Sequence, residues 1–268
     1  MTRPLLLLLT APMIMTATSA LTYVSATGDD SNNCVVRAMP CRTFSGALAK
    51  TTSGGTVWVV DTGDFGGINI TMPVTIDGGA SMPYVDGVNV NTAGVVIVRN
   101  LMVVGSGGGL LIYADSGANL RLENVTISGT PGYGVVCRNG STCSLDRVRI
   151  QNAAQNGTGA GVLAWGSKVL VSNSQITNCE VGVGTIAGGL VQLTGSIVQN
   201  NIVGVSTNGY GNLFSLTPGT IRMNGNTITD NTIGLHVAGT GAAIVSFGNN
   251  TIFGNTTNGN PTLVTVTR

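Results

Sequence analysis

Apolar and polar residues alternate in short bursts along this chain, and each burst ends in the same punctuation. The recurring pattern is apolar-x-apolar-x-Asn-x-x-Ile/Val-x-x-Asn, followed by a Gly-Val step. It runs over 96–106, 120–130, 143–153, 169–179, 191–201, 221–231 and 245–255. The late Ile or Val of each copy serves as an anchor. These anchors are Val103, Ile127, Ile150, Ile176, Val198, Ile228 and Ile252, spaced 24, 23, 26, 22, 30 and 24 residues apart. Period-two alternation predicts strands, and repetition at this period predicts a solenoid of stacked coils. One coil cannot bury its apolar face alone, whereas stacked coils can, each strand pairing in parallel with the coil below at about 4.8 Å.

Stacking predicts columns of like residues. One inward column is Val96, Leu120, Cys143, Val169, Val191, Ile221 and Val245. A second is Val98, Leu122, Leu145, Val171, Leu193, Met223 and Phe247. Three residues before each anchor stand Asn100, Asn124, Arg147, Asn173, Gly195, Gly225 and Asn249. Asn and Gly tolerate the left-handed conformation that a sharp corner needs. Pairs after the anchor, such as Asn200-Asn201 and Asp230-Asn231, predict amide ladders along the stack. Insertions are expected near 155–157 and 208–218, where the spacing stretches.

Composition narrows the class. Gly is 40 of 268 residues, charged residues make up only 9%, and Lys and Glu number 2 each. Such a chain is poor in helix formers and is not a helix bundle. The formal net charge is +1, so there is no electrostatic footprint for nucleic acid. Arg3, the apolar run Leu5–Leu9 and the small residues Thr18-Ser19-Ala20 form a signal-peptide pattern with cleavage expected after Ala20. The expected organisation is a signal peptide over 1–20, an N-terminal cap over 21–55 and about nine to ten coils over 56–268. No second apolar stretch approaches a membrane span, so the mature chain is expected to be secreted or periplasmic. The five cysteines then predict disulfides Cys34–Cys41 and Cys137–Cys143, with Cys179 left free. A zinc site is disfavoured, because there is no CxxC and a single histidine, His236.

These columns and this period resemble the right-handed parallel β-helix of the pectate-lyase-like superfamily over roughly residues 22–260. Tyr23-Val24-Ser25, Gly28 to Asn32, Pro40 to Phe44, Gly54-Gly55 and Thr75-Ile76-Asp77-Gly78 are similar to the opening of exported bacterial β-helix proteins without assigned activity. The expected fold is therefore all-β: one right-handed parallel solenoid with a short N-terminal capping helix. Thr43 would cap that helix, placing Phe44, Ala47 and Leu48 on one face. At the other end, 262–267 is expected to form a strand with an open edge, available for self-association.

Chemistry is sparse. The resemblance implies a lyase or hydrolase site built from aspartates, often with calcium, or from several aspartates with Gly-His-Gly. Gly234-Leu235-His236 departs from that last motif, and no carboxylate accompanies the outward positions assigned to Gly182, Gly204, Gly234, Gly184, Ser206 and His236. Arg99, Glu123 and Asp146 stand four residues before successive anchors. Stacking would put the two carboxylates about 5 Å apart, the separation a retaining glycosidase uses; Arg147 and Arg149 lie nearby, and the alternative is a solvated charge ladder. Tyr113, Arg138 and Trp165 follow comparable strands in consecutive coils and would line one face, where aromatic rings and arginine suit a sugar. The function expected is a non-catalytic exported structural or binding module for polysaccharide or cell surface, with no cofactor. The alternative is a polysaccharide lyase or glycoside hydrolase using Glu123 and Asp146, with calcium under the lyase version only.

Overall fold

A computed structural model describes residues 18–105, 109–153, 159–208 and 217–265. The expected signal peptide lies outside them except for residues 18–20, as do most of the two expected insertions. Among the described residues, seventeen strands form one sheet that bends at each coil's corner, and eight form a second sheet facing it. The ladders between these strands are parallel. Every anchor pairs with the next: Val103 with Ile127, then Ile150, Ile176, Val198, Ile228 and Ile252. The uneven spacing does not disturb this register.

The inward columns close the core. Val96, Leu120, Cys143, Val169, Val191 and Ile221 are all buried and stack in that order. The last coil departs from expectation: Ile221 pairs with Ile244 rather than Val245, and Met223 with Ser246 rather than Phe247. One more residue separates Ser246 from Ile252 than separates Met223 from Ile228. The chain absorbs it by turning the corner at Gly248, φ +83°, instead of at Asn249.

The other corners follow the predicted positions. Asn100, Asn124, Arg147, Asn173, Gly195 and Gly225 all have φ between 50° and 64°. A second left-handed corner, two residues after the anchor, holds Asn152, Asn178, Asn200 and Asp230. The residue after it turns inward. There Asn201 donates through Nδ2 to Asn231 Oδ1 at 2.9 Å, and Asn231 donates to Asn255 Oδ1 at 2.8 Å. This amide ladder satisfies buried polar groups by stacking identical side chains.

The N-terminal end is closed by two devices. The helix Phe44–Leu48 is capped by Thr43, whose Oγ1 accepts from the Gly46 N–H at 3.0 Å, and it buries Phe44 and Ala47. It occupies the place that a second-sheet strand fills in later coils, beside the first such strand, Gly67–Ile70. The loop before the helix carries the Cys34–Cys41 disulfide. That loop covers the edge of the strand Ser19–Val24: Tyr23 N–H donates to Cys34 O, and Cys41 N–H to Tyr23 O. Residues 21–55 thus hold both the cap and the first strands of the larger sheet.

At the C-terminal end, Gly234 and Leu235 donate to Thr257 O and Asn258 O of an irregular segment. With a helix at one end and this segment at the other, the second sheet has eight strands. The chain accordingly makes about eight full turns, fewer than the nine to ten expected. Of the expected final strand over 262–267, residues 266–267 lie outside the described ones; within them Leu263–Val264 is a strand, and both residues are exposed.

Candidate functional site

The outer face of the second sheet carries a group of aromatic and charged side chains. Tyr113, Arg138 and Trp165, expected to share a face, are brought together. Arg138 pairs with Trp165 across adjacent strands, and Tyr113 lies on the strand before. The Arg138 guanidinium stands between the two rings, 5.9 Å from the Tyr113 centroid and 4.9 Å from that of Trp165. Asp115 anchors the group. It accepts from Tyr113 OH at 2.7 Å and from Asn139 Nδ2 at 2.6 Å, and its Oδ2 lies 3.8 Å from Arg138 Nε. That last separation is an ion pair rather than a hydrogen bond, and Arg138 Nε is buried with no hydrogen-bond partner.

The titrations follow from this packing. Burial opposes the charge of Asp115, but hydrogen bonds from Tyr113, the Ser116 N–H and Asn139 prevail and hold its carboxyl below the ordinary value. Burial, then the bond to Asp115, raises the Tyr113 hydroxyl. Burial, then the charge of Glu180, raises that of Tyr133. At neutral pH the cluster holds one anion, one cation and neutral phenols.

A groove of about 440 Å³ opens here. Its wall is mainly apolar, formed by Leu110, Tyr133, Val136 and Leu163 with Pro131, and Arg138 is its charged member. A second groove of about 410 Å³ shares Leu110 and Tyr113 and reaches back to Ile68, Asn69, Asp86 and Asn89. Together they cross five strands, from Gly67–Ile70 to Ala160–Trp165, about 19 Å at ~4.8 Å per strand. Leu110, Tyr133 and Val136 escaped the sequence reading, because an apolar residue in a strand carries no signal of which way it faces.

The glycine column of this sheet corrects an expectation. Gly182, Gly204 and Gly234 face inward, not outward. A Cβ on Gly182 would lie 2.6 Å from Val198 Cγ1, and one on Gly204 3.0 Å from the Asn231 amide nitrogen. These glycines leave room for the anchors and the amide ladder. Gly184, Ser206 and His236 do face outward, and Ser206 Oγ lies 3.1 Å from His236 Nδ1.

Glu123 and Asp146 stand side by side in register at the corner of the larger sheet, with Arg99 beside Glu123. Arg99, however, gives its Nε to Asp77 at 2.7 Å, a residue the charge pattern did not single out. Asp146 is paired with Arg147 and accepts from Asn173 Nδ2 at 2.8 Å and Ser172 Oγ at 3.0 Å. The Asn173 bond above all holds its carboxyl below the ordinary value. An acid held ionised in this way is a poor proton donor for a leaving group. Arg149 is exposed. Calcium would need converging carboxylates, and among the described residues no three His, Cys, Asp or Glu side chains gather.

The Cys137–Cys143 disulfide, Cα atoms 6.3 Å apart, ties the groove strand Tyr133–Arg138 to the larger sheet. Cys179 is free and buried. Among the described residues no helix is long and apolar enough to cross a membrane.

Parallel coils with buried columns and amide-ladder corners define a parallel β-solenoid. The chain belongs to the family described as right handed beta helix region, which matches residues 108–265. Among solved structures it is similar to pectate lyase Pel9A, with TM-score 0.60 and 13% identity over 86% of this chain and 68% of that one. It is also similar to a rhamnogalacturonan lyase, with TM-score 0.54 and 12% identity over 84% of this chain and 72% of that one. At such identities the likeness is one of fold. No curated protein sequence matches the chain.

Proposed function

We propose that the protein is an exported, non-catalytic glycan-binding module whose ligand lies in the groove of the second sheet, against Tyr113, Arg138 and Trp165. The observation that carries this reading is the convergence of the three side chains on an apolar-walled groove of about 440 Å³. Concave, mostly apolar sites with a few placed polar groups are the usual form of small-ligand sites. The rings supply flat apolar surface, and Arg138 supplies hydrogen-bond donors from a fixed position. The two disulfides suit an oxidising compartment, where extracellular polysaccharide is met. The solved structures similar to this chain include two polysaccharide lyases, which adds support for a carbohydrate ligand.

The test is a glycan-array screen of the whole chain beside a reducing-sugar assay on the same polysaccharides. Binding that Trp165→Ala abolishes, with no release of reducing ends, is expected. Sugar release that survives Trp165→Ala and disappears in Glu123→Gln would overturn the reading in favour of a hydrolase.

A further inference from the structure

The charge distribution along the joined grooves discriminates between glycan classes. Polyuronates carry one carboxylate per sugar, so a groove that holds them in direct contact must present an excess of positive charge or bridging cations. Arg138 is the basic residue of the two grooves, and its charge already faces that of Asp115. Its guanidinium lies 5.9 Å from the Tyr113 ring centroid and 4.9 Å from that of Trp165, and Asp115 Oδ2 stands 3.8 Å from its Nε. The second groove adds Asp86, which is exposed and acidic. Within the lining the charges of Arg138 and Asp86 cancel, and Asp115 beside Arg138 leaves no excess of positive charge. No carboxylate cluster stands ready to hold a bridging cation among the described residues.

From this balance we infer that the groove takes a neutral glycan chain, laid across the strands along the solenoid axis, and rejects polyuronates. The inference rests on the glycan-binding reading above and deepens it. The apolar wall of Leu110, Tyr133, Val136 and Leu163 receives the C–H faces of uncharged pyranose rings. Asn69 and Asn89, which face the second groove in register on adjacent strands, meet their hydroxyls. A uronate chain in the same place would set its carboxylates against Asp86, with the Arg138 charge already offset by Asp115.

Isothermal titration with three neutral hexasaccharides, from galactan, xylan and mannan, against hexagalacturonate tests this. The measurements are made at low and high salt, with calcium and with EDTA. At least one neutral hexamer is expected to bind in a Trp165-dependent manner, with hexagalacturonate at least about tenfold weaker. Raising the salt is expected to narrow that gap, since exposed like charges are screened. Asp86→Asn, a change at an exposed position, should raise affinity for hexagalacturonate several-fold while changing neutral binding little. Hexagalacturonate bound as tightly as the neutral chains at the Trp165 site, with or without calcium, would overturn the inference and leave glycan binding standing. If none of the hexamers binds, both fail.

Discussion

The guanidinium carbon of Arg138 lies 4.9 Å from the centre of the Trp165 ring, with Tyr113 closing its other side at 5.9 Å. A planar cation held between two rings is a rigid donor, and each contact contributes about 0.5–2 kcal/mol. Lysine would keep the charge but lose the stacking plane and the fork of donors. Arg138→Lys is therefore expected to weaken glycan affinity clearly, by calorimetry, while the far-ultraviolet circular dichroism of the solenoid is unchanged.

The corner residues should matter more for folding than the groove. Asn173 has φ +50° and gives its Nδ2 to Asp146 at 2.8 Å. A β-branched residue there is strained by about 1–3 kcal/mol and loses that bond, whereas glycine adopts the same conformation freely. Asn173→Val should lower the melting temperature by several degrees, and Asn173→Gly by much less. Equal melting temperatures for wild type and the valine variant would contradict the left-handed corner.

Asn231 sits in the middle of the amide ladder and is buried. Its Nδ2 serves Val198 O, Thr229 O and Asn255 Oδ1, and its Oδ1 accepts from Asn201. Aspartate is nearly isosteric but, when ionised, cannot donate, and buried acceptors left without donors cost about 1–3 kcal/mol each. Asn231→Asp should destabilise far more than Asn124→Asp at the exposed corner. Urea unfolding of the two variants compares them directly.

Asp77 gives a pH signature. It is buried, which opposes its charge, yet bonds from Asn100, the Gly79 N–H and Arg99 hold its carboxyl below the ordinary value. A carboxyl lowered on folding contributes stability above the unfolded value, about 3.9, which is lost as pH falls through the lower folded value. Wild type should lose stability below about pH 4, and Asp77→Asn, already less stable at neutral pH, should lose less over the same interval. Parallel curves from pH 6 to pH 2 would show that Asp77 contributes nothing to acid unfolding.

The thiols should report the disulfides and the core together. Burial pushes the Cys179 thiol up to about 12, so almost no thiolate exists at pH 8. A thiol reagent should label the native protein negligibly, denatured protein at one site, and denatured, reduced protein at five sites. Prompt labelling of native protein at Cys179 would place that residue outside the core.

The anchors, the inward columns and the left-handed corners were legible in the sequence because each coil repeats the same local demands. A buried strand position favours an apolar side chain, and a tight corner favours Asn or Gly, whatever lies far away. The helix cap at Thr43 and the two short-range disulfides are local in the same sense. Tertiary structure alone decided the rest. The one-residue slip at Ser246 depended on where the last coil turned, which sequence period cannot fix when Gly248 and Asn249 both suit a corner. Gly182, Gly204 and Gly234 turn inward where the anchors, the amide ladder and the backbone of the next coil leave no room for a Cβ. Arg99 chose Asp77 over Glu123, since only the stacked coils reveal which carboxylate is already buried and within reach. The groove itself joins residues from five coils, and its apolar wall exists only once those coils are stacked in register.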